Sequence, residues 1–112
     1  MANHNITITA SQPNYKHPHK SKLTLDPAGT TYVNPGDTIT WIVAVDAITA
    51  IMISDDSDVN VFNPDPAPVA GSKNWIGTIN PAIALGSSEE YSIYWTQGGV
   101  VYSFDPKIAV NN

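Results

Sequence analysis

Apolar and polar residues alternate along almost the whole chain, and this period of two constrains the fold more than any other feature. Ile6 and Ile8 bracket Thr7, and Leu23 and Leu25 bracket Thr24. Ile39, Trp41, Val43 and Val45 form one set, Ile51 and Ile53 a second, and Tyr91, Ile93 and Trp95 a third. Val100, Tyr102 and Phe104 follow, then Ile108 and Val110. Successive side chains of a strand point to opposite faces, so each set predicts a strand with one buried side. Most of these residues are β-branched or aromatic, the types that fit a pleated, half-buried surface. Asp26-Pro27-Ala28-Gly29 and Asn34-Pro35-Gly36-Asp37 separate the runs, because proline presets φ and glycine accepts a positive one. Gln97-Gly98-Gly99 predicts a hairpin. Nine prolines and seven glycines leave no run of helix formers beyond a turn near residues 81–85. Residues 63–72 are proline-rich and predict an irregular connection, where function often sits. Many short strands with frequent turns predict one all-β sandwich or barrel over residues 1–112.

Composition removes several functions. Of 112 residues, 42 % are hydrophobic and only 13 % charged, the latter about half the ordinary share. The net charge is −5 and every cation is a lysine. Nucleic acid needs a basic face and favours guanidinium forks, so it is not an expected partner. There is no cysteine, hence no disulfide and no thiolate site. The start of the chain is polar, without the apolar core of a leader, and no segment approaches about 18 apolar residues. These features predict a cytoplasmic protein with no membrane partner.

Two stretches carry a family resemblance. Tyr32-Val33-Asn34-Pro35-Gly36-Asp37-Thr38-Ile39-Thr40-Trp41 resembles the V-x-P-G-D-T-V-x-W strand of cupredoxins. Residues 86–110 resemble their C-terminal hairpin and closing strand. Type I copper needs two histidines, a cysteine and usually a methionine. The cysteine would fall near Phe104 and the first histidine near residues 49–51, and neither residue type is there. The ending Tyr102-Ser103-Phe104-Asp105-Pro106-Lys107-Ile108-Ala109-Val110 is similar to that of the copper-less AidA/PixA-type bacterial inclusion-body proteins. The resemblance implies a cupredoxin-like or immunoglobulin-like antiparallel Greek-key β-sandwich of about seven to eight strands. It also implies a bacterial protein that accumulates or assembles, and no defined chemistry.

Candidate sites are few. Asp55, Asp56, Asp58 and Asn60 offer hard oxygens to Ca²⁺. They lack the glycine and distal glutamate of a calcium loop, and the plain alternative is a solvated acidic turn. His17 and His19 flank Pro18 on a segment expected to be extended, so their rings share a side. With His4 they are candidate ligands for Cu, Ni or Zn, although Lys16, Lys20 and Lys22 repel a cation. Ala2-Asn3-His4 at a free amine would be a square-planar nitrogen set. Trp41 and Trp95 are expected in the core. Tyr94 is out of phase with Tyr91 and Trp95, so Tyr94, Tyr15 and Tyr32 are candidate exposed contacts. Glu89 and Glu90 should face opposite ways and so form no dyad. Every histidine lies before residue 20, so the many later serines and threonines have no downstream histidine as a base, and no cofactor motif is present, so no enzyme is expected.

Two functions fit these residues. A self-assembling structural protein would use low charge density and the separation of Lys16, Lys20 and Lys22 from Asp55, Asp56, Asp58 and Asp65. Such opposed patches favour head-to-tail homo-oligomers. A small carbohydrate- or ligand-binding module would use residues 54–60 and 63–74, with Ca²⁺ assisting.

Overall fold

The structure, a computed structural model, describes residues 2–54 and 60–112 in full and Asp55 by its backbone. Among the described residues, ten strands follow one another: β1 (Asn3–Gln12), β2 (Lys22–Asp26), β3 (Thr31–Val33), β4 (Thr38–Val43), β5 (Ile48–Asp55), β6 (Ala67–Pro68), β7 (Trp75–Thr78), β8 (Ser88–Gln97), β9 (Val100–Phe104) and β10 (Lys107–Val110). One sheet runs β2-β1-β4-β7-β6. The other runs β3-β10-β8-β5, and β9 pairs with the half of β8 that β10 leaves free. In effect β9 and β10 are one strand, broken at Asp105-Pro106.

The alternation becomes the core of a β-sandwich. Ile6, Ile8, Leu23, Leu25, Ile39 and Trp41 come from the first sheet. Ile51, Ile53, Tyr91, Ile93, Trp95, Tyr102, Ile108 and Val110 come from the second, and all are buried. Removing each large side chain from water contributes about 1.5–3 kcal/mol. Trp41 and Tyr91 meet across the sheets, where the indole N–H donates to the tyrosine hydroxyl at 3.0 Å. Their rings lie 5.7 Å apart at 64°, and Phe62 packs against both. That donation satisfies a polar atom that burial would otherwise orphan. Burial and the nearby Glu89 charge still raise the Tyr91 hydroxyl above its ordinary pKa, against the indole bond that lowers it.

The turns follow their sequence chemistry. At Asn34-Pro35-Gly36-Asp37, the Asp37 N–H donates to the Asn34 carbonyl at 3.1 Å, and Gly36 sits at φ 85°, as a type II turn requires. Gly98 and Gly99, at φ 60° and 77°, join paired residues Gln97 and Val100 in the manner of a type I′ hairpin.

Several details depart from the sequence reading. Strand pairing is mixed, because β1 runs parallel to β4 and β3 parallel to β10. At least one strand of the opposite sheet lies in the chain between the members of each parallel pair, and a hairpin cannot make such a pair. Pro18–Lys20 is a 3₁₀ turn rather than an extended segment, since proline is well tolerated at a first helical position. The connection at residues 63–72 contains the short strand β6. Among the described residues, no helix is long and apolar enough to cross a membrane.

Candidate functional site

Asp37, the last residue of the turn before β4, is almost fully buried. Its carboxylate accepts the Ala2 N–H at 2.8 Å, the Asn34 N–H at 2.9 Å and the His4 Nε2–H at 2.8 Å. Burial pushes the carboxyl pKa up, but these donors and the imidazole outweigh it and hold the group down to about 2. The motif that carries the family resemblance is therefore a clamp that fixes the start of β1 against β4. The same clamp engages the His4 Nε2 and the Ala2 N–H.

The other metal candidates do not converge. His4 lies near one end of β1, whereas His17 and His19 follow the other end, roughly 26 Å further along the strand. The His17 and His19 rings pack edge to face with centroids 6.1 Å apart. Among the described residues, no three His, Asp or Glu side chains group as metal ligands. Of the calcium candidates, Asp56, Asp58 and the side chain of Asp55 lie outside the described residues. Asn60 is spent on its own loop: its oxygen accepts the Phe62 N–H at 2.9 Å, and its amide donates to Asp65 at 3.0 Å.

The lysine cluster does come together. Lys16, Lys20, Lys22 and Tyr15 line an open basin of about 530 Å³ at the junction of β1 and β2. Its backbone is pinned, because the Asn14 side-chain oxygen accepts the N–H of Lys16 at 3.2 Å and of His17 at 3.0 Å. The Asn14 N–H in turn donates to the Ser21 hydroxyl at 2.7 Å. Tyr15 is 70 % exposed, yet its ring stands edge-on against Tyr102 at 5.7 Å. Tyr102 lies in turn against Trp95 at 5.5 Å. Burial and the adjoining Tyr15 raise the Tyr102 hydroxyl above its ordinary pKa. That hydroxyl is enclosed with no hydrogen-bond partner among the described residues. Asp65 precedes β6, at the opposite edge of the same sheet, four strand steps or roughly 19 Å away.

A second feature was not legible in the sequence. β5 is an outermost strand, eight residues long, that among the described residues pairs only with β8. It reads Ile-Thr-Ala-Ile-Met-Ile-Ser-Asp and carries no charge before its last residue. Half of its backbone N–H and C=O groups point away from β8. Lys73 caps one end, its Nζ donating to the Ile48 carbonyl at 2.8 Å. Beside this edge, Ala50, Met52, Tyr94, Thr96 and Val101 line a shallow apolar hollow of about 220 Å³ on the outer face. Met52 and Val101 are 49 % and 55 % exposed. Tyr94 lies here, opposite Met52 in the β-ladder, on the face its phase predicts, and Tyr32 is exposed on β3.

Where the cupredoxin pattern would put its cysteine, Phe104 and Pro106 wall a hollow of about 470 Å³ with Leu23 and Leu25. Asp105, at its rim, accepts the Ser92 hydroxyl at 2.6 Å. No protein-family model matches the chain, and no curated protein matches it. The likeness to AidA/PixA-type proteins thus rests on the motif residues alone.

Proposed function

We propose that this protein is a non-enzymatic, self-assembling β-sandwich whose copies join through the open edge of β5. The long strand β5, uncharged before Asp55 and unpaired on its outer side among the described residues, carries the reading. A second β5, antiparallel to the first, would satisfy both rows of backbone groups and set a strand beside Met52. Such a contact is two-fold and self-complementary, so it closes at a dimer. Growth beyond the dimer needs another contact, for which the lysine edge at β2 and the Asp65 edge at β6 have opposite charge. One eight-residue edge buries less than the ~1,200–2,000 Å² of a standard interface, so association is weak. A Ca²⁺-assisted sugar module on residues 54–60 and 63–74 has less support, because Asn60 is already engaged and a proline-rich strand occupies the second loop.

Sedimentation velocity over a concentration series tests this at about 0.1 M and about 1 M salt, where the screening length falls from roughly 10 to roughly 3 Å. Mass should rise with concentration. Salt should leave the dimer intact and dissolve larger species. A monomer at every concentration would overturn the proposal.

A further inference from the structure

We infer that the lysine basin is a binding site for a small acidic sugar, one that carries one or two carboxylate or sulfate groups. This site is independent of the β5 edge. Lys16, Lys20 and Lys22 supply three of the chain's five cations around one opening of about 530 Å³, a volume within the usual range for small-ligand sites. Among the described residues, none of the three ammonium groups is engaged in an ion pair or hydrogen bond. Like charges gathered round a hollow repel one another, and an anion between them relieves that repulsion.

The site is also built in advance. The Asn14 side chain, the Ser21 hydroxyl and the bond from the Lys20 N–H to the His17 carbonyl, 2.8 Å, hold the loop. Binding then orders only lysine side chains, not backbone, which lowers its entropic cost. Tyr15 adds an exposed ring anchored through Tyr102 and Trp95 to the core. An anchored ring face beside cations suits a ligand with both an apolar C–H face and a negative group, as an acidic sugar has.

Two facts limit the ligand's size and type. Arginine, the residue of bidentate phosphate recognition, is absent from the chain. The rest of the molecule is acidic enough to bring the net charge to −5, so a long polyanion would run from the basin onto a repelling surface.

Isothermal titration with trigalacturonate tests the inference, with neutral galactotriose and inorganic sulfate as separate arms. Trigalacturonate should bind and galactotriose should not. The double variant Lys20→Gln/Lys22→Gln should weaken trigalacturonate at least about tenfold, each lysine acting as a charge-assisted donor. Both lysines are solvent-exposed, so an unchanged thermal unfolding curve will show that the variant folds. Tyr15→Ala should weaken trigalacturonate several-fold and leave sulfate untouched. No trigalacturonate binding, or equal binding in the double lysine variant, overturns the site. Sulfate binding as tightly as trigalacturonate overturns the sugar assignment.

Discussion

β5 and β6 are both outermost strands, yet they are built in opposite ways. β6 has two residues, one of them Pro68, which lacks an N–H, and Pro64 and Pro66 precede it. A short, proline-bearing edge has little backbone to offer another chain. β2, also at an edge, is five residues long and starts and ends on a charge, Lys22 and Asp26. β3 has only three residues. β5 alone is long, uncharged through seven residues and flanked by exposed apolar side chains. β9 also pairs only with β8 and is uncharged, but it has five residues and lies against the Pro18–Lys20 turn. Among the described edges, β5 is the longest and departs furthest from the ordinary rules against sheet extension. That contrast, more than overall charge density, is why the proposed self-association is assigned to β5.

The contrast can be broken or sharpened by substitution. The largest effect is expected far from β5, at the clamp of the other sheet. Asp37→Asn replaces an acceptor that faces several donors and should cost about 2 kcal/mol of folding stability, read by chemical denaturation. Association of the folded fraction should not change. The same carboxyl predicts the acid limb. It titrates at about 2 when folded against 3.8 ordinarily, so the unfolded chain binds its proton first as pH falls. The stability Asp37 supplies is therefore complete above about pH 5 and is lost as pH drops through 3.8 towards 2. Asp37→Asn should flatten that part of a stability–pH curve.

Next in size, Ala50→Lys/Met52→Lys makes β5 resemble a protected edge. It should weaken dimerisation at least about tenfold in sedimentation velocity, and an unchanged midpoint would move the interface elsewhere. Lys73→Ala uncovers the Ile48 carbonyl and lengthens the open edge. It should tighten the dimer about threefold, and weaker association would mean that Lys73 belongs to the interface. The smallest effect is expected from Pro68→Thr, which restores an N–H to β6. With only two residues to pair, that edge should change association by less than about twofold.

Much of the core was legible because each strand reports its buried face locally. Trp41, Tyr91, Ile93, Trp95 and Tyr102 are buried as their phase requires, and Glu89 is buried while Glu90 is exposed. Val61 and Phe62 are buried too, outside every alternating run. They flank the proline-rich connection, where no period marks them. Asp37 read as a turn residue, and its turn formed. Its clamp on Ala2 and His4 was invisible, since those partners lie 35 and 33 residues away. The lysine cluster was visible in the sequence because its members lie within seven positions, but the basin between them depends on how β1 turns into β2.

Sequence alone determined an all-β chain, the inward residues of most strands, the Pro-Gly and Gly-Gly turns and the absence of thiolate chemistry. Alternation and turn propensity act over two to four neighbouring residues, so a single chain displays them directly. Tertiary structure alone decided which strands stand at the edges, that two pairs run parallel, and which side chains close on Asp37. An edge is defined by what does not pair beside a strand. That depends on the order in which distant segments cross between the sheets, and nothing within the eight residues of β5 records it.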